Sequence, residues 1–198
     1  MSSDIHQNSG CRLPLVRRDS LSEEAQKAYD EAAEPGRSLA GLQGPAGIWL
    51  HSQGSLPHLR GLHRYLRFDA GIGSAIREIA YLVVARETDC QFQWIMHERA
   101  ALQAGVSAAA IDAIRKRTST DDLAEKEAAV IELGRQIFGQ HKVTSELYAR
   151  AIALFGTTML VDLVLLMGSA STSSALLTVV DMQLRPGMGP SLPIAEQS

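Results

Sequence analysis

The chain has 198 residues, enough to bury one substantial core and about the length of a single domain. Its 19 Lys and Arg against 22 Asp and Glu leave a formal charge of -3, so there is no broad basic field for a nucleic-acid backbone and nucleic acid is excluded as a partner class. The two cysteines, Cys11 and Cys90, are too far apart in the chain to suggest a disulfide framework. The opening stretch "MSSDIHQNSG" has neither a secretory apolar core nor an arginine-rich transit pattern, so the expected location is cytoplasmic.

Residues 1–20 read as a flexible N-terminal tail, 21–184 as one helical domain, and 185–198 as an extended C-terminal tail rich in Pro and Gly. "SLSEEAQKAYDEAAEPG" opens with a serine and acids and stops at Pro-Gly, a helix with both ends marked. "GPAGIWLHSQGSLPHLRGLHRYLRFDAG" predicts a short helix, a turn and a second helix with Leu59, Leu62 and Leu66 on one face. Ser74 is expected to cap "AIREIAYLVVARET", which is apolar on nearly every side from Ile79 to Ala85 and therefore reads as buried. Thr88 with Gln91 forms a capping-box pattern that starts a further helix near Asp89, and Gly105 stops it.

Further helices follow in "SAAAIDAIRKR", "DDLAEKEAAVIELGRQIFGQH" and "TSELYARAIALFG". The apolar tract "TTMLVDLVLLMGSASTSSALLTVV" is interrupted by Asp162, Gly168 and a cluster of Ser and Thr. It reads as two core helices divided near Gly168 and not as a membrane span. No alternating strand pattern occurs between hairpin turns, so the fold class is all-α with seven to nine helices.

On a helix starting near residue 89, Cys90, Gln93, Trp94 and His97 follow the i, i+3, i+4, i+7 rule and share a face. Cys90 would fall in the first turn, where free backbone N–H groups favour a thiolate. Glu78 lies on the preceding helix, and a short connection makes the two helices antiparallel neighbours. Should the packing register bring Glu78 to His97, an imidazole titrating near neutrality would gain a carboxylate to orient it, an acid/base pair that needs no metal. Otherwise a buried Glu and His are a structural hydrogen bond, and Trp94 is core.

The stretch "REIAYLVVARETDCQFQWIMHERAALQAGVS" resembles the signature region of the carboxymuconolactone decarboxylase and alkylhydroperoxidase D superfamily, and flanking pieces extend the likeness over about residues 40–170. Glu78, Cys90 and His97 fall at three of its four signature positions, and Gln93 stands where the second cysteine of a Cys-x-x-Cys pair would be. The resemblance implies an alkylhydroperoxidase D-like helical bundle and a homo-oligomer (dimer, trimer or hexamer). An amide can neither attack a peroxide nor close a disulfide, so the two-cysteine peroxidase activity is disfavoured.

What the resemblance implies instead is a cofactor-free enzyme of the decarboxylase-like branch, a lyase or isomerase moving protons on a small cyclic, carboxylated or enolisable substrate. His97 and Glu78 would be catalytic, with Gln93, Cys90, Trp94 and His51 lining the substrate site. Arg77 and Arg86 are candidate carboxylate binders by their chemistry, or ion-pair partners. No cofactor and no metal are expected: His97-Glu98 lacks a second histidine four residues on, and "GIGSAI" lacks the third glycine and preceding strand of a dinucleotide loop. The rival expectations are a thiol-dependent redox protein using Cys90 alone, and a non-catalytic binding or assembly protein with this fold.

Overall fold

A computed structural model describes residues 4–193. Among these residues there are eight α-helices and no β-strand, the one β-type contact being an isolated antiparallel bridge between His6 and Cys11. The expected all-α class is met. The chain divides into two compact units, one running up to Arg64 and including Ala175–Gly189, the other comprising Tyr65–Ser174 and the chain from Pro190.

The first unit holds α1 (Glu23–Ala33), α2 (Pro45–Trp49) and α3 (Leu56–Arg64). Ser22 caps α1 by accepting from the Ala25 N–H at 3.4 Å, and Glu23 and Glu24 complement the positive end of the helix dipole. Leu21, Ala25, Ala28, Leu50 and Leu56 form this unit's small core. Within the stretch expected as a flexible N-terminal tail, Ser9 and Cys11 are buried and the Arg12 N–H donates to Val180 O at 2.8 Å, so this part of the chain is anchored. The expected shared face of Leu59, Leu62 and Leu66 is only partly inward: Leu66 is buried, Leu59 half-buried and Leu62 exposed. Beyond Arg64 the helical path loosens into a π-helical turn, Tyr65–Asp69, closed by Ala70 N–H to Tyr65 O at 2.8 Å.

The second unit is built around α4 (Ser74–Glu87), against which α5 (Gln91–Gln103), α6 (Ala108–Lys116) and α7 (Glu125–Gly134) pack. Every residue from Ile79 to Ala85 is buried, as the all-round apolar pattern requires, and each Leu, Ile or Val so buried contributes about 1.5–3 kcal/mol. The contact of α7 with α4 depends on Gly134. A Cβ there would lie 2.4 Å from Val83 Cγ1, so only glycine admits this approach. Ser74 does not cap α4; it is the first helical residue, with Gly73 at the cap position.

The apolar tract belongs to α8 (Ser145–Val179), and its division differs from the expected one. Gly168 lies inside regular helix, whereas Gly156, at φ 72° and ψ 170°, breaks the helical path. That conformation is essentially closed to residues bearing a Cβ, while glycine inside a helix costs only about 1 kcal/mol. By length and composition α8 is apolar enough to cross a membrane. Its Leu160, Asp162, Leu163, Leu166, Met167 and Ala170 are buried in the second unit, while Val161, Val164 and Leu165 are exposed. The C-terminal stretch from residue 185 to 193 contains no helix, and Leu192 is buried with its N–H and C=O bonded to the Gln91 side chain. The remainder of the expected tail, 194–198, lies outside the described residues.

Candidate active site

The connection between α4 and α5 is only Thr88, Asp89 and Cys90. The capping box expected of Thr88 and Gln91 does not form: the Thr88 hydroxyl donates backward to Val84 O at 2.8 Å, and Asp89 turns the chain at φ 47°. An ion pair from Arg86 holds Asp89 in place, and the Cys90 N–H donates to Ala85 O at 2.9 Å. So tight a turn returns α5 antiparallel along α4.

Glu78 lies about 13 Å before the end of α4 and His97 about 9 Å into α5. The offset is small enough for a glutamate side chain to span. The His97 Nδ1 lies 2.7 Å from Glu78 Oε2, with Glu78 2% and His97 12% exposed. The second carboxylate oxygen, Oε1, accepts from Arg77 Nε at 3.4 Å, and Arg77 Nη1 donates to Arg67 O of the π-helical turn at 3.0 Å. Burial pushes the Glu78 carboxyl up, but the bond with His97 and the positive charges of His97, Arg77 and Arg67 outweigh it and hold the carboxyl below its ordinary value. An ionised carboxylate only accepts, so Nδ1 carries the hydrogen and Nε2 is the nitrogen left to exchange a proton.

Tyr81, which the sequence reading did not select, stacks on the imidazole with ring centroids 4.1 Å apart and planes at 14°. It sits one turn after Glu78 on α4, so its i+3 spacing was the available signal. Burial drives its phenol up to about 12, leaving it neutral beside the ring.

Gln93, one turn before His97 on α5, is 3% exposed, and its Nε2 has no hydrogen-bond partner among the described residues. Buried amide donors are nearly always paired, so this N–H is a donor open to an oxygen acceptor. Cys90 stands at the cap of α5, not in its first turn, and the expected thiolate is not favoured. Burial pushes the thiol up, against weaker pulls from the Gln93 N–H, the Ser174 hydroxyl and the Phe92 N–H.

Two further selected residues make the following contacts. Trp94 is fully buried, donates its indole N–H to Glu98 Oε2 at 3.1 Å and carries the Arg115 guanidinium 5.5 Å from its ring centre, so its contacts are those of a core residue. His51 belongs to the first unit, exposed, with Nε2 3.1 Å from Pro14 O. Arg86 serves the connection through Asp89 and Arg115 O. No three His, Cys, Asp or Glu side chains among the described residues gather as metal ligands.

The second unit is thus an all-α assembly in which a buried carboxylate on one helix is hydrogen-bonded to the imidazole of the next. The model of the carboxymuconolactone decarboxylase family matches residues 56–135, a segment that contains Glu78, Cys90, Gln93 and His97. Over that segment the chain is similar to the carboxymuconolactone decarboxylase family. No curated protein matches the chain.

Proposed function

We propose that this chain is an acid/base enzyme of the decarboxylase-like kind, acting without a cofactor on a small cyclic substrate that is carboxylated or enolisable. The observation that carries the reading is the 2.7 Å contact of His97 Nδ1 with Glu78, which leaves Nε2 as the exchanging nitrogen. In a decarboxylation with double-bond shift, the bond to the departing carboxylate breaks and CO2 leaves. The electron pair passes into the conjugated carbonyl, and the imidazolium delivers its proton to the far carbon. An isomerisation uses the same pair in two steps, Nε2 first taking a proton from carbon and then returning it. Gln93 would donate its spare N–H to the substrate carbonyl as charge collects there.

The test is turnover of a panel of carboxylated lactones and cyclic 1,3-dicarbonyl compounds, with solvent deuterium incorporation as a second readout. His97→Ala should lose about 10²–10⁴-fold in rate, the usual range for general acid/base catalysis. Cys90→Ser should keep the parent rate, since its buried thiol takes no part. A folded His97→Ala variant working at the parent rate would refute the assignment.

The exposed Val161, Val164 and Leu165 of α8 support a homo-oligomer assembled through that helix, because exposed apolar side chains grouped on one face mark contact surfaces. A smaller particle on light scattering of Val164→Glu checks this; an unchanged mass would set it aside.

A further inference from the structure

We infer that Arg77 is a positioning residue that decides which nitrogen of His97 carries the proton, by dividing the two oxygens of Glu78 between itself and the imidazole. The inference rests on the Glu78–His97 pair and not on the identity of the reaction.

Residues adjacent in a helix do not face one another, so a contact between Arg77 and Glu78 needs a cause outside α4. The cause is Arg67 O. By holding Arg77 Nη1 at 3.0 Å, that carbonyl draws the guanidinium back across the helix until Nε reaches Glu78 Oε1 at 3.4 Å. The carbonyl comes from a π-helical turn, a form of helix that recurs at functional sites. Arg77 is only 16% exposed, so its charge acts on Glu78 with little screening.

Charged and titratable groups reach Glu78 from three elements: His97 on α5, Arg67 on the π-helical turn, and Arg77 with Tyr81 on α4. Tyr81 is neutral, and the tautomer of His97 is the quantity in question. After the larger contributions of the bond and charge of His97, Arg77 with Arg67 behind it adds fixed positive charge that lowers the carboxyl, and Arg77 alone holds Oε1. Without it Oε1 loses its anchor, Oε2 is no longer held on Nδ1, and the Nε2–H form of the imidazole gains population. The imidazole would present the opposite proton to any substrate.

The experiment uses the full chain without ligand. Long-range ¹H–¹⁵N spectra of the histidine rings, with His97 assigned from a His97→Gln variant, report the tautomer, and side-chain ¹³C shifts report the titration of Glu78. In Arg77→Gln the Glu78 midpoint should rise, and the Nε2–H form of neutral His97 should become several-fold more populated. Arg77→Lys should move both at least half-way back toward the parent. Unchanged midpoint and tautomer in the glutamine variant would overturn the inference, as would a lysine variant that restores neither. Arg77→Met serves if the glutamine variant does not fold, and failure of both neutral variants to fold would assign Arg77 to packing and overturn it too. Because nothing here depends on turnover, this reading and the proposed reaction can each fail alone.

Discussion

Replacing Glu78 by Gln keeps the side chain's shape and removes its charge, so it isolates what the ionised pair contributes. The contact with His97 is short, at 2.7 Å, and its two partners are 2% and 12% exposed, so solvent screens it little. A hydrogen bond to a charged group in such a setting contributes about 1.5–3 kcal/mol. The longer contact with Arg77 adds under about 1 kcal/mol. Against these, glutamine still accepts from Nδ1–H and carries no charge to bury, which returns about 1 kcal/mol. Glu78→Gln should therefore lose about 0.5–3 kcal/mol near neutral pH, and at about 2 kcal/mol a chain of this size melts about 4–8 °C lower.

The sign with pH follows from the direction of the Glu78 shift. A carboxyl held below its ordinary value of 4.5 stabilises the fold above that pH, and the contribution fades as pH falls through the lower folded value. Urea denaturation followed by circular dichroism should show a clear gap between parent and variant at pH 7 that closes on acidification. A variant as stable as the parent at pH 7, or a gap that persists unchanged in acid, would refute the reasoning.

Tyr81 gives the opposite limb. Its phenol, raised from 10 to about 12, should be the last tyrosine to ionise in an absorbance titration, and stability should hold below pH 10 and decline by up to about 2.7 kcal/mol as pH passes 12; Tyr81→Phe should lose that decline. Cys11 and Cys90 are both buried, so a chromogenic disulfide should label the native protein slowly and two thiols promptly once it is denatured; fast labelling of the native state would contradict the site described. Gly134→Ala should lose about 1–3 kcal/mol in urea titration, because Val83 is branched at Cβ and fully buried and cannot swing aside from a contact at 2.4 Å. A neutral result there would mean that α7 can slide on α4.

The parts of this molecule legible in the sequence are those set by hydrophobic periodicity. The buried run Ile79–Ala85, the serine cap of α1 and the stop of α5 at Gly105, which has φ 85°, were all readable because each depends on local chemistry. The meeting of Glu78 and His97 was readable as a condition on register. What could not be read depends on backbone shape. Gly156 and Gly168 look alike in sequence, and only the path of the chain shows which one must adopt a conformation closed to other residues. Thr88 carries a capping motif, but its hydroxyl found a carbonyl behind it before an N–H ahead. Arg77 contacts its own neighbour because of a carbonyl on another segment, which no spacing rule contains.

The three residues joining α4 to α5 act as a ruler. One more residue carried into α5 would roll that helix by about 100° and advance it about 1.5 Å, turning the imidazole away from the acid and the buried Trp94 and Ala101 out of the core. Length changes at Thr88–Cys90 should therefore register in a screen for folded protein, because the same three residues that set the imidazole against the acid also set Trp94 into the core.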